Sequence, residues 1–178
     1  MQTRECIKTR RSIRKYKAEP VEHEKIVRVI EAAAMAPSWK NTQVSRFHVI
    51  ESEETRKKFP SCLPEFNRLR SENAAAIIVA TVKDKIAGFS DDGKHTLSHL
   101  GAGFQYFDNG LQVENLCLAA RDEGLGTLIM GLYDEGKVRD LARIPDDEVI
   151  TVVIALGVAD ESPEGPEKLS ASDVAKFL

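Results

Sequence analysis

Residues 108–130 read DNGLQVENLCLAARDEGLGTLIM, and their order decides the fold class. Val113, Leu116, Cys117 and Ala120 recur at helical spacing, so one apolar face runs along a helix that Asp108 can cap and that reaches about Asp122. Gly124 stands where a helix-stopping C′ glycine is expected. Thr127 to Met130 then has the length and apolarity of a short strand.

Working outward, Ala74–Val82 and Glu148–Val158 are continuous apolar runs of strand length, the pattern of strands buried on both faces. Phe47–Ile50 predicts a further strand. Helices are predicted over Thr3–Thr9, over Val21–Met35 (apolar at Ile26, Ile30, Ala33 and Ala34, ended by Pro37), over Glu53–Phe59 behind a Ser52 cap, and over Glu135–Arg143. Lys83–Gly103 has no periodicity and several glycines, which predicts a long loop or lid. Ser162–Leu178 predicts a polar tail. No repeat or linker interrupts the chain. The expectation is an α+β fold, a single domain over residues 1–178, with a small central mixed β-sheet flanked by helices.

Composition bounds the function. The chain has 178 residues, 42% hydrophobic and 30% charged, enough to build a core and too apolar for global disorder. Its net charge of -3 argues against a protein that coats nucleic acid. The longest apolar run, Ile150–Ala159, is about half of the ~20 residues that span a bilayer. Met1–Arg14 lacks the apolar core of a signal peptide, and Cys6, Cys62 and Cys117 form no C-x-x-C pair. A cytoplasmic protein with reduced thiols, no membrane partner and no nucleic-acid partner is expected.

Familiar catalytic patterns fail one by one. Gly101-Ala102-Gly103 has Tyr106 at the place of the third glycine. Gly124-Leu125-Gly126 leads from helix to strand, the reverse of a dinucleotide-binding turn. It reads as a helix stop and tight turn, or as a place where backbone approaches a flat ligand. His95 and His99 are four apart, but Thr96 follows His95 and the segment reads as loop, so no metal is expected. No G-x-S-x-G elbow and no evident acid–base pair occur. An enzyme with such a sequence relies on a cofactor for its chemistry.

Two segments could hold one. Residues 1–17 carry Arg4, Lys8, Arg10, Arg11, Arg14, Lys15 and Lys17 against Glu5, a charge of +6, so the other 161 residues sum to -9. If residues 10–15 are extended, Arg10, Ser12 and Arg14 share one side, and two guanidinium forks around a hydroxyl suit a phosphate dianion. A solvated basic edge fits the same spacing. The second segment is Ala36-Pro37-Ser38-Trp39-Lys40-Asn41-Thr42-Gln43, where the Asn41 and Gln43 carboxamides suit a heterocycle with carbonyls and ring nitrogens. A polar turn with Trp39 packed locally is the plainer alternative.

Together, Arg10-Arg11-Ser12-Ile13-Arg14, Ala36-Pro37-Ser38 with Asn41 and Gln43, and Val113-Glu114-Asn115-Leu116-Cys117-Leu118-Ala119-Ala120 leading into Gly124-Leu125-Gly126-Thr127 resemble the FMN-dependent nitroreductase family in order and spacing. The resemblance implies a nitroreductase-like α+β homodimer with flavin sites at the subunit interface. It implies FMN as cofactor, NADH or NADPH as reductant, and a nitroaromatic, quinone or similar small electron acceptor, served in turn by a ping-pong mechanism. It places Arg10, Ser12 and Arg14 on the phosphate and ribityl chain and Arg11 at the flavin's polar edge. Pro37, Ser38, Trp39, Asn41 and Gln43 would come from the other subunit, and backbone at Met130, Gly131 and Leu132 would face the ring and its N5 edge. Lys168 is the basic tail residue for the phosphate, though Glu167 beside it departs from the family pattern. No side chain is assigned as catalytic, because the chemistry sits on the flavin. A specialised branch, such as a reductive dehalogenase or a flavin-degrading enzyme, or a flavin carrier without turnover, would use the same scaffold.

Overall fold

The two continuous apolar runs become neighbouring strands in the middle of a sheet. A computed structural model describes residues 2–178; Met1, the start of the segment read as lacking a signal peptide, lies outside the described residues. In chain order the elements are α1 (Thr3–Thr9), α2 (His23–Ala34), a 3-10 turn (Trp39–Asn41), β1 (Ser45–Ile50), α3 (Glu53–Lys58), a second 3-10 turn (Phe59–Cys62) and α4 (Glu65–Arg70). Then come β2 (Ala76–Lys83), α5 (Gly103–Asp122), β3 (Gly126–Met130), α6 (Glu135–Ala142), β4 (Glu148–Gly157) and α7 (Ala171–Val174).

The strand order is β1-β2-β4-β3, and every pairing is antiparallel. The mixed sheet expected from sequence is corrected here; the parallel component shrinks to a single bridge between Ser12 and Thr127. β2 enters at the end where β1 leaves, with Ile50 opposite Ile77.

Alternate residues of β2 serve two cores. Ile77 and Val79 pack with Ile13, Tyr16, Phe59, Leu128, Met130 and Val138 on one face. Ala76, Ile78 and Ala80 pack with Ile26, Val29 and Ala33 of α2 and with Val113, Leu116, Cys117 and Ala120 of α5 on the other. This is the two-sided burial that an unbroken apolar run requires. The three cysteines are free and buried, Cys6 in α1, Cys62 in the second 3-10 turn and Cys117 in α5.

Gly124 ends α5 as expected, at φ +78°. The Leu125 amide donates to Ala120 O at 2.8 Å and the Gly124 amide to Arg121 O at 3.2 Å, the paired bonds of a Schellman motif. Gly126 is needed for space, since a Cβ there would stand 2.6 Å from Ile13 Cγ1. The close approach that the second glycine permits is that of the chain's own basic segment.

The expected start of α5 is corrected, and the long loop expected before it is folded back on itself. The helix begins at Gly103, and Asp108 lies buried inside it instead of capping it. The early turns escape a periodicity search because their inward stripe is polar: Gln105, Asp108, Asn109 and Gln112, at i, i+3, i+4 and i+7, are all buried. The Lys83–Gly103 segment is not free in its middle. The Ser90 amide donates to His95 O and the Leu97 amide to Gly88 O, both at 2.8 Å, around a Phe89–Thr96 bridge, which makes a small hairpin. Gln105 Oε1 accepts the Ile86 amide at 3.2 Å and ties the segment's start to α5.

Candidate functional site

The basic segment runs as an extended strip between two strand ends. Ile13 donates its amide to Thr127 O at 2.9 Å, Lys17 to Val158 O at 3.0 Å, and Asp160 donates to Lys15 O at 2.9 Å. Ile13 and Tyr16 are buried beneath it, and the Tyr16 hydroxyl donates to Ala155 O at 3.3 Å. That explains the apolar residues interleaved among the cations: they fasten the strip to the sheet.

The cations meet different fates. Arg10 Nε lies 3.5 Å from Glu114 Oε1 of α5. Arg14 donates its amide to the Glu161 carboxylate and reaches Ser12 O with Nη1 at 3.3 Å, with the rest of the fork toward solvent. Arg11 bends back, donating from Nη1 to Lys8 O and Arg10 O at 2.8 Å each, and its guanidinium lies against Gly165 of the tail. Arg10, Ser12 and Arg14 thus present two guanidinium groups and a hydroxyl, a donor set that fits a phosphate dianion. Arg11 is turned toward the chain's own carbonyls. Lys168 stands exposed in the tail, three residues beyond Gly165.

The 37–43 loop is wound tightly. Lys40, Asn41 and Gln43 all have left-handed backbone, at φ +47°, +57° and +49°. Such a conformation costs ~1–2 kcal/mol for an ordinary side chain and less for Asn. Against this stand the Trp39 amide donating to Asp108 Oδ2 at 2.8 Å, the Gln43 amide donating to Ser38 Oγ at 3.0 Å, and Trp39 packed on Phe104 with ring centroids 4.3 Å apart. A bond to a charged acceptor contributes ~1.5–3 kcal/mol, so anchoring and strain are of the same order. Trp39 Nε1 and Thr42 Oγ1 are buried there without a hydrogen-bond partner among the described residues. Burial pushes the Asp108 carboxyl above its ordinary pKa, and the Trp39 amide opposes that rise. Pro37, Asn41 and Gln43 stay exposed, while Ser38 uses its hydroxyl inside the loop.

At the far end of β3, Met130 is buried and Gly131 and Leu132 are exposed. Among the described residues other than its two neighbours, nothing comes within 4 Å of where a Gly131 Cβ would be, so that backbone is open to a ligand. Asn67 of α4 was not singled out from sequence; its Nδ2 donates to Leu132 O at 2.9 Å and fixes this backbone. Its only sequence signal is a carboxamide in a short charged stretch. Beside β3 a cleft of about 510 Å³ opens between α5, β3 and β4, walled by Tyr106, Gly110, Val113, Ile129 and Val152. Its largely apolar walls suit a flat ring. Another cavity of about 520 Å³, under α3 and α4, collects none of the candidate site residues named from sequence.

Helix α5 holds both donor sets apart. Glu114 meets the strip and Asp108 meets the loop, six residues away. Six residues separate them by ~9 Å along the axis and ~120° around it. One copy of the chain therefore turns the strip and the loop to different sides. His95 and His99 lie in the 83–103 segment, and no cluster of metal-ligating side chains occurs among the described residues. No helix among the described residues is long and apolar enough to cross a membrane.

Comparison with known proteins gives a consistent result. The family model described as "Nitroreductase family" matches residues 7–158. A protein of Archaeoglobus fulgidus assigned as an NADH dehydrogenase/NAD(P)H nitroreductase is 32% identical over 160 residues, 86% of this chain and 84% of its own. The NADPH-flavin oxidoreductase of Vibrio harveyi is 29% identical over 182 residues, 95% of this chain and 70% of its own. Among solved structures, a protein from Exiguobacterium sibiricum assigned as a nitroreductase and solved in complex with FMN superposes with a TM-score of 0.86 at 25% identity, over 100% of this chain and 98% of its own.

Proposed function

Because this chain belongs to the nitroreductase family, we propose that two copies of it hold FMN at their shared interface and use NADH or NADPH to reduce a nitroaromatic, quinone or similar small acceptor. It is an FMN-dependent NAD(P)H oxidoreductase, in line with the flavin and nicotinamide named for its relatives. Bound FMN would supply the hydride-transfer chemistry that links nicotinamide to acceptor, and the chain would supply its holding and orientation.

The chain's own residues bind and orient. Arg10, Ser12 and Arg14 hold the phosphate, with Lys168 of the tail able to add a third cation, and Arg11 stiffens the strip by capping α1. Backbone at Met130, Gly131 and Leu132, steadied by Asn67, supports the ring. Pro37, Ser38, Trp39, Asn41 and Gln43 approach the same ring from the second copy. The single observation that carries this reading is that strip and loop meet α5 at residues about 120° apart around its axis, an arrangement that a ligand shared between two chains accounts for. The aromatic pair Tyr106 and Phe107, 48% and 57% exposed on α5, supports a second copy covering that side.

The test is sedimentation of the purified flavoprotein together with its FMN content. A dimer of 19.7 kDa chains with one FMN per chain is expected, and anaerobic NADH or NADPH should bleach the flavin. A monomer that binds and reduces FMN normally would overturn the two-chain site.

A further inference from the structure

The buried polar stripe of α5 includes one carboxylate, Asp108. Gln105 anchors the start of the 83–103 segment through the Ile86 amide. Asn109 ties the strands, with Nδ2 3.0 Å from Ser45 Oγ and Oδ1 accepting from Thr151 Oγ1 at 2.7 Å. Asp108, between them and only 2% exposed, touches neither: the hydrogen bond it accepts comes from the Trp39 amide. A buried carboxylate committed to one loop amide does little for the sheet and is costly to keep unless the amide that donates to it matters.

That amide opens the strained turn. Trp39 precedes the left-handed pair Lys40 and Asn41, and its ring rests on Phe104 with Nε1 unpartnered among the described residues. The other hydrogen bonds made by the backbone of 38–43 stay within the loop or reach Arg46. We propose that Asp108 is a positioning residue: by accepting the Trp39 amide from α5 it sets the wound form of the 38–43 loop, and so sets where Ser38 and Asn41 stand against the flavin. The flavin half of this statement rests on the function proposed above; the loop half does not.

Trp39 is the single tryptophan of the chain, so its fluorescence reports the loop without any cofactor. The experiment compares the full-length protein with Asp108→Ala, which removes the acceptor, and Asp108→Asn, which keeps an acceptor oxygen without the charge. Trp39 emission and acrylamide quenching are read on flavin-free protein, and FMN affinity by titration. Asp108→Ala should red-shift the emission, raise quenching, and weaken FMN binding by about tenfold, the loss expected for one charge-assisted bond. Its thermal midpoint should hold, because removing the carboxylate also removes its burial cost. Asp108→Asn should stay near the unchanged protein in all three. Trp39 remaining shielded in Asp108→Ala would overturn the proposal, as would equal exposure in both variants. An exposed Trp39 with unaltered FMN affinity would overturn the link to the cofactor. Should the unchanged protein bind no FMN, the proposed function fails, while the fluorescence comparison still decides the role of Asp108.

Discussion

From Val113 onward, α5 buries Val113, Leu116, Cys117 and Ala120 against the sheet and leaves Glu114 and Asp122 exposed. Its first three turns do the opposite, burying Gln105, Asp108, Asn109 and Gln112 and leaving Tyr106 and Phe107 about half-exposed. The later half is stabilised by its own chain. The earlier half commits buried hydrogen bonds to loops and strands and leaves its aromatic side exposed, where the proposed second copy would sit. On that proposal one helix joins a folding element to an assembly element, and mutations should sort by which half they strike.

The largest effect is expected in the later half. Leu116→Ala should cost ~2–5 kcal/mol of unfolding free energy, as for a large side chain removed from a packed interior. Denaturant unfolding at low protein concentration measures it, and a loss below ~1 kcal/mol would break the contrast between the halves. Phe107→Glu strikes the earlier half. It should leave the fold of each copy intact and weaken self-association by ~2 kcal/mol or more, the scale of an interface aromatic. Sedimentation equilibrium would show monomer accumulating, with FMN released alongside it; a dimer of undiminished affinity would remove Phe107 from the interface.

The strip that leans on Glu114 is next. Arg14→Ala should weaken FMN retention by roughly tenfold, ~1.4 kcal/mol, with Arg14→Lys recovering part of it because a point charge lacks the fork. Full flavin content after gel filtration of Arg14→Ala would remove Arg14 from the clamp.

The smallest effect concerns pH. Burial pushes the Glu148 carboxyl up, but donation from Thr81 and His48, both at 2.6 Å, and from Lys83 at 3.2 Å outweighs it, and the carboxyl sits below its ordinary value. A depressed carboxylate adds stability that is present above the unfolded pKa of ~4.3 and disappears as pH falls through the folded value. Thermal midpoints from about pH 6 to about pH 3 should therefore fall more steeply for the unchanged protein than for Glu148→Gln. Parallel curves would show that this network does not titrate with folding.

The same contrast explains what was legible in the sequence. The later half of α5, Gly124, the two central strands and the Ser52 cap follow rules that act on neighbouring residues, and all were readable; the Ser52 hydroxyl does accept the Thr55 amide, at 3.3 Å. The start of α5 was not, because helical periodicity is sought in apolar residues and here the inward stripe is Gln105, Asp108, Asn109 and Gln112. Short α4 escaped for want of length. Of the candidate site, charge alternation drew notice to the strip and two carboxamides to the 36–43 segment, while the packing of Trp39 on Phe104 matches the plainer reading of that segment. The contacts that shape them were not legible: Arg11 folding back onto Lys8 O, Asn67 holding Leu132 O and Asp108 holding Trp39 all join residues whose relation only tertiary structure creates.

The three buried thiols have a practical consequence. Burial pushes the Cys62 and Cys117 thiols up, so in the closed fold they are protonated as well as shielded, and an alkylating reagent must wait for local opening. Cys6 waits on α1, Cys62 on the turn before α4, and Cys117 on the α5 core. Their labelling rates, followed by mass spectrometry, amount to three independent clocks in one molecule, each timing how often a different layer breathes.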